Sequence, residues 1–171
     1  MAEKKGAVTI HGNPLTLVGQ DVKVGEKAPD FVVLDNDLNQ VQFSSLDKKI
    51  FIIAAVPSLD TPVCDLETRR FNDEAASLGS EVSLLTVSMD LPFAQKRWCG
   101  AAGVERLRTY SDHREASFGQ AYGVLIKELR LLARAVFVVD RAVVLRYAQL
   151  VRELTQEPDY EAVLQAVKAA L

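Results

Sequence analysis

The chain has 171 residues, 49% of them apolar and 25% charged, enough to bury a core and too apolar for a disordered segment. Its 20 basic and 23 acidic side chains give a net charge of -3, so no basic field gathers a polyanion and no nucleic-acid partner is expected. Two cysteines and two histidines without close spacing offer neither a disulfide scaffold nor a zinc site, and no glycine-rich phosphate loop points to a nucleotide; the expectation is no cofactor.

The start, Met1-Ala2-Glu3-Lys4-Lys5-Gly6, leads into no apolar run of signal-peptide or membrane-span length. A cytoplasmic protein without membrane insertion is the expectation. Residues 7–18 alternate loosely around Asn13-Pro14 and predict a hairpin, an extension over residues 1–20 of one domain covering 1–171. Phe31–Leu34 and Val41–Phe43 predict short strands around the turn Asp35-Asn36-Asp37. Ile50–Val56 is a continuous apolar run between Lys48-Lys49 and Pro57, the pattern of a central strand covered on both faces.

After Pro57, residues Cys64, Thr68, Phe71, Ala75 and Leu78 recur at helical spacing, and Gly79 supplies a stop. Val82–Val87 predicts the next buried strand. Asp90 predicts the cap of a helix with Pro92 in its first turn, Trp98 and Cys99 near its end and Gly100 as its stop. Leu107–Tyr110 predicts a strand, and Asp112 with Glu115 a capping box for a helix through Ala121. Arg134 opens the run Ala135–Val139, Asp140-Arg141 turns the chain, and Val143–Leu150 returns. A last helix from about Pro158 places Tyr160, Val163, Leu164, Val167 and Leu171 on one face. This order predicts an α/β fold, a mixed sheet with helices on both faces.

Cys64 falls in the first turn of a helix that follows a buried strand. The carboxyl ends of such strands face the ligand crevice, and helix N-termini favour a thiolate over a thiol. Pro57 and Pro62 stiffen the loop, Pro57 is placed to shield the sulfur, and the Thr61 hydroxyl is one turn away, placed to donate to a bound oxygen. Position alone fits a small buried residue at a helix start equally well. Asp65 and Glu67 oppose a thiolate, so a cation is required; Arg69, Arg70 and Arg134 are the candidates, and periodicity gives Arg134 no special claim. His11 and His113 read as surface residues. Met89 and Phe93 fit a pocket lining or ordinary packing, and Trp98 fits core packing or a cover.

The stretch Pro57-Ser58-Leu59-Asp60-Thr61-Pro62-Val63-Cys64 resembles the active-site pattern of the peroxiredoxin family: proline, three residues, threonine or serine, two residues, cysteine. The resemblance is closer to the bacterial thiol peroxidases, the atypical two-cysteine branch. It extends to Ser88–Gln95 leading to Cys99, Gln120–Val124, Ala133–Val136 and Glu157–Tyr160, and covers nearly the whole chain. It departs at residues 125–132, where a glycine-containing loop is expected and the chain reads LIKELRLL.

The resemblance implies a thioredoxin-like fold and a thiol-dependent peroxidase for hydrogen peroxide and organic or lipid hydroperoxides. It implies that Cys64 becomes a sulfenic acid, that Thr61 and Arg134 bind the peroxide, and that Cys99 forms an intramolecular disulfide with Cys64. Thioredoxin as reductant and a homodimer follow from it as well. Two cysteines on different helices need local unwinding to meet, because a disulfide holds its Cα atoms within about 7 Å. A redox sensor using the same disulfide without fast turnover is the alternative. A disulfide oxidoreductase is disfavoured, because it wants two cysteines separated by two residues.

Overall fold

The computed structural model describes residues 2–103 and 107–171. Met1, the first residue of the expected hairpin extension, lies outside them. Strands β1 (Glu3–Ile10) and β2 (Asn13–Val18) form the N-terminal hairpin, joined by β8 (Leu125–Ile126) in a three-stranded sheet. The turn is not Asn13-Pro14 but His11-Gly12, both at positive φ (48° and 79°). Such a turn matches the twist of the flanking strands, and it leaves Pro14 inside β2 opposite Thr9.

Strands β3 (Val32–Leu34), β4 (Gln40–Gln42), β5 (Ile50–Ala55), β6 (Val82–Ser88), β7 (Leu107–Ser111), β9 (Ala135–Val139) and β10 (Leu145–Leu150) make the central sheet, in the order β10-β9-β5-β6-β7-β3-β4. β5, β6 and β7 are parallel, and the outer pairings are antiparallel. Both faces of β5 are buried because its alternate residues enter different cores. Ile50, Ile52 and Ala54 pack with Phe71 and Ala75 of α1 (Pro62–Leu78) and with Tyr160, Val163 and Val167 of α4 (Tyr160–Ala170). Phe51, Ile53 and Ala55 face the hairpin and Phe118 of α3 (Ser117–Ala121). Each isoleucine and phenylalanine among them contributes roughly 1.5–3 kcal/mol by burial, which fixes β5 at the centre.

Several boundaries differ from the sequence reading for local reasons. Asp90 does not cap α2 (Pro92–Ala102); Leu91 occupies that position, while the Asp90 carboxylate accepts from Ser58 Oγ (2.7 Å), Leu59 N (2.8 Å) and Ser88 Oγ (2.8 Å). α2 runs past Gly100 and ends at Gly103, in the left-handed conformation that favours glycine. α3 starts later than a capping box at Asp112 and Glu115 requires, yet Asp112 still accepts from Phe118 N and Gly119 N. Residues 125–132 form β8 and a tight return without glycine, closed by Arg130 N to Ile126 O (2.9 Å) with Arg130 at φ 53°. In α4 Tyr160, Val163 and Val167 are buried as expected, whereas Leu171 is exposed.

Candidate active site

β5 ends at Ala55, and Val56 still bonds to Val87 O before the buried Pro57 breaks the ladder. Thr61 then caps α1 in extended geometry, with Pro62 as the first helical residue. Cys64 is therefore in the first turn, at the positive end of the helix. Its side chain is fully buried and packs with Val56, Leu59 and Trp98. Thr68, one turn on, donates its hydroxyl to Cys64 O at 2.7 Å.

Arg134 immediately precedes β9, the strand beside β5, and it is fully buried. Its Nη2 donates to Cys64 Sγ at 3.2 Å and to Leu154 O at 2.8 Å; Nε donates to Leu154 O at 3.1 Å, and Nη1 to Glu67 Oε2 at 2.5 Å. Every arm of the guanidinium is thus fixed. Burial works against its charge, but Glu67 and Cys64 outweigh that and hold its pKa above the ordinary value. Of the three arginines weighed from sequence, Arg134 is the one bonded to the sulfur. Arg69 pairs with Asp65 at 2.9 Å, and Arg70 lies 3.9 Å over the Tyr160 ring.

Glu67, read from sequence as a charge opposing a thiolate, is the partner that holds the arginine. It follows Cys64 by three positions and so shares the buried face of α1; a carboxylate on an apolar helix face was the available signal. Burial pushes its pKa up to about 7, against the attraction of Arg134, and Oε1 has no hydrogen-bond partner among the described residues. The folded chain thus holds the Glu67 proton to higher pH than the unfolded chain, where 4.5 is ordinary. The stability this group contributes falls as pH rises through that window, so between about pH 5 and pH 8 wild type should lose melting temperature relative to Glu67→Gln. A difference independent of pH across that range rules out the raised pKa.

Thr61 behaves differently from the sequence expectation. Its hydroxyl donates to Ser58 O at 2.9 Å and accepts from Cys64 N at 3.4 Å. With its proton committed to a carbonyl, it offers a visitor a lone pair rather than a hydrogen. Met89 packs against the main core, and Phe93 is exposed. His11 is exposed and His113 half-buried.

Cys99 is half-buried on α2, and both cysteines are free. Its Sγ lies 3.3 Å from Thr109 Oγ1 on β7, and Thr109 donates on to Asn36 Oδ1 at 3.0 Å. Among the described residues no group of three or more His, Cys, Asp or Glu is placed to hold a metal ion, and no helix is long and apolar enough to cross a membrane.

A family model described as Redoxin matches residues 23–164. The chain is 57% identical over 165 residues to the thiol peroxidase of Halalkalibacterium halodurans, covering 96% of this chain and 99% of the relative. It is 56% identical over 162 residues to the thiol peroxidase of Bacillus subtilis, covering 95% and 96%. A peroxiredoxin-like protein from Aquifex aeolicus superposes with a TM-score of 0.90 at 43% identity, over 97% of this chain and 98% of that one. A thiol peroxidase from Chromobacterium violaceum, at 22% identity over 95% of each chain, shares the fold with a TM-score of 0.83. The fold is therefore thioredoxin-like. The chain belongs to the peroxiredoxin family, close to its atypical two-cysteine branch of bacterial thiol peroxidases, and is a thiol-dependent peroxidase.

Proposed function

We propose that Cys64 is the thiolate that attacks the peroxide and Cys99 the thiol that resolves it. The observation that carries this reading is the 3.2 Å contact from buried Arg134 to Cys64 Sγ at a helix N-terminus. The thiolate attacks one peroxide oxygen, the O–O bond breaks, and the other oxygen leaves as an alkoxide or hydroxide that takes up a proton. Sulfur loses two electrons and becomes sulfenic acid. Arg134 stabilises the thiolate and then the charge that develops on oxygen. Thr61 orients the peroxide by accepting its O–H, and Pro57 keeps water from the sulfur. Cys99 S–H then displaces the sulfenic hydroxyl, giving the Cys64–Cys99 disulfide and one water. A thioredoxin dithiol returns both thiols and is itself oxidised. The substrates are hydrogen peroxide and organic or lipid hydroperoxides, and the working form is a cytoplasmic homodimer.

The test is turnover. Reduced protein with thioredoxin, thioredoxin reductase and NADPH should oxidise NADPH in proportion to added hydroperoxide. Thiol loss with one equivalent of peroxide but no turnover favours the redox sensor, and indifference to peroxide excludes both. Thr61→Val deletes the hydroxyl and keeps the shape. It should cost about 1 kcal/mol in thermal stability through the lost cap and also raise KM for peroxide. Unchanged peroxide kinetics with the stability loss alone would leave Thr61 a capping residue only.

A further inference from the structure

We propose that Trp98, fastened by Asp65 and Arg69, is a positioning residue that sets when Cys99 is released to Cys64, and so divides the oxidised enzyme between resolution and over-oxidation. This rests on the two-cysteine reading above. The Trp98 indole Nε1 donates to Asp65 Oδ1 at 2.7 Å, and Arg69 Nε donates to Asp65 Oδ2 at 2.9 Å. The Arg69 guanidinium lies 5.6 Å from the Trp98 ring centroid, and Nη1 donates to Ala102 O at 3.4 Å. The first three contacts close a ring, and with the fourth they tie the last turns of α2 to the first two turns of α1. The same tryptophan is nearly buried and shares a cluster with Cys64, Val56 and Leu59.

Cys99, the next residue, packs against the cluster that holds Cys64, but its thiol has a different partner. Its thiol is held at Thr109 on β7, while Cys64 is held by Arg134 at the start of β9. Both thiols are free and held by different partners, so a disulfide forms only after Cys99 leaves Thr109, and the Trp98 contacts fasten the turn that must release it. While the latch holds, the sulfenic acid on Cys64 remains open to a second hydroperoxide. That molecule adds its oxygen to sulfur, loses the O–O bond and leaves as an alcohol, giving the sulfinic form that simple thiols do not restore.

The test separates two rate constants by mixing reduced protein with one equivalent of hydrogen peroxide, quenching at intervals and counting sulfenic acid and disulfide by mass spectrometry. Trp98→Phe deletes the N–H and keeps a ring; Asp65→Ala deletes the acceptor at a partly exposed site and serves if the first variant does not fold. Both should form the disulfide faster, by about tenfold if one charge-assisted hydrogen bond limits release. Both should also accumulate less sulfinic acid under excess peroxide with thioredoxin recycling. Trp98 is the only tryptophan, so in Asp65→Ala its emission should shift in the reduced state. A tryptophan with only a packing role would slow oxidation and resolution together. Resolution that is unchanged or slower in the variants overturns the latch while leaving the peroxidase reading intact. Wild-type Cys64 that fails to react with peroxide overturns both.

Discussion

Cys64→Ser protein should consume no hydroperoxide, and Cys99→Ser protein should consume one equivalent and then stall. The first variant removes the atom that is oxidised; serine at a helix start has no comparable nucleophilicity toward an O–O bond. The second leaves Arg134, Glu67 and Thr61 in place around Cys64, so the first oxidation should run at the wild-type rate. Without Cys99 the chain has no second thiol, and the sulfenic acid persists until an external thiol or more peroxide meets it. With excess peroxide the Cys99→Ser chain should drift to the sulfinic form. Oxidised wild type should yield the Cys64 and Cys99 peptides joined and run as a monomer on a non-reducing denaturing gel. A predominantly disulfide-linked dimer there would replace the intramolecular bond with one between chains. Steady turnover of Cys99→Ser with thioredoxin would remove Cys99 from the cycle altogether.

Arg134→Lys should lower the rate constant of the first oxidation by about 10²-fold, as expected for removal of a fixed donor to developing oxygen charge. The substitution keeps the charge, so the loss measures geometry. Arg134 directs Nε and one N–H of Nη2 at Leu154 O and Nη1 at Glu67, and this leaves the second N–H of Nη2 aimed at Cys64 Sγ. A lysine ammonium is a single point of charge on a flexible stem and cannot keep three directed partners together. It would fall to Glu67, the buried carboxylate, and leave both sulfur and carbonyl without their donor. The rate constant is read by stopped-flow competition for hydrogen peroxide, with thermal melting as a fold control. Wild-type kinetics in this variant would take Arg134 out of the reaction.

The contrast between Asp90 and Asp65 shows where sequence reasoning stops. Asp90 sits just before a proline-started helix, which is the pattern of an N-cap. Its carboxylate instead gathers Ser58 and Leu59 from the loop preceding Cys64, a contact between segments some thirty residues apart. Asp65 reads from sequence as a charge opposing the thiolate, and in the fold it receives the Trp98 indole from another helix. Local patterns predict local bonds, and the choice between two good acceptors is made by whatever the fold brings alongside.

By itself the sequence determined the continuous apolar run that buries β5 on both faces and the helix after it, and so the place of Cys64 in a first helical turn beyond a central strand. These follow from short-range periodicity and capping chemistry, which operate within a few residues. The motif around Cys64 added the identity of the reaction. Periodicity left three arginines open and the family resemblance pointed to Arg134; the tertiary structure decided how it meets the sulfur. Arg134 enters the chain seventy residues after Cys64 as an apparently ordinary charge at a strand start, and it reaches the thiol because β9 pairs beside β5. The same packing turned Glu67 from a repelling charge into the arginine's partner. Burial is the physical reason. Once water is excluded, an unpaired polar group is costly, and the partners open to Arg134 and Glu67 are set by strand order rather than by distance along the chain.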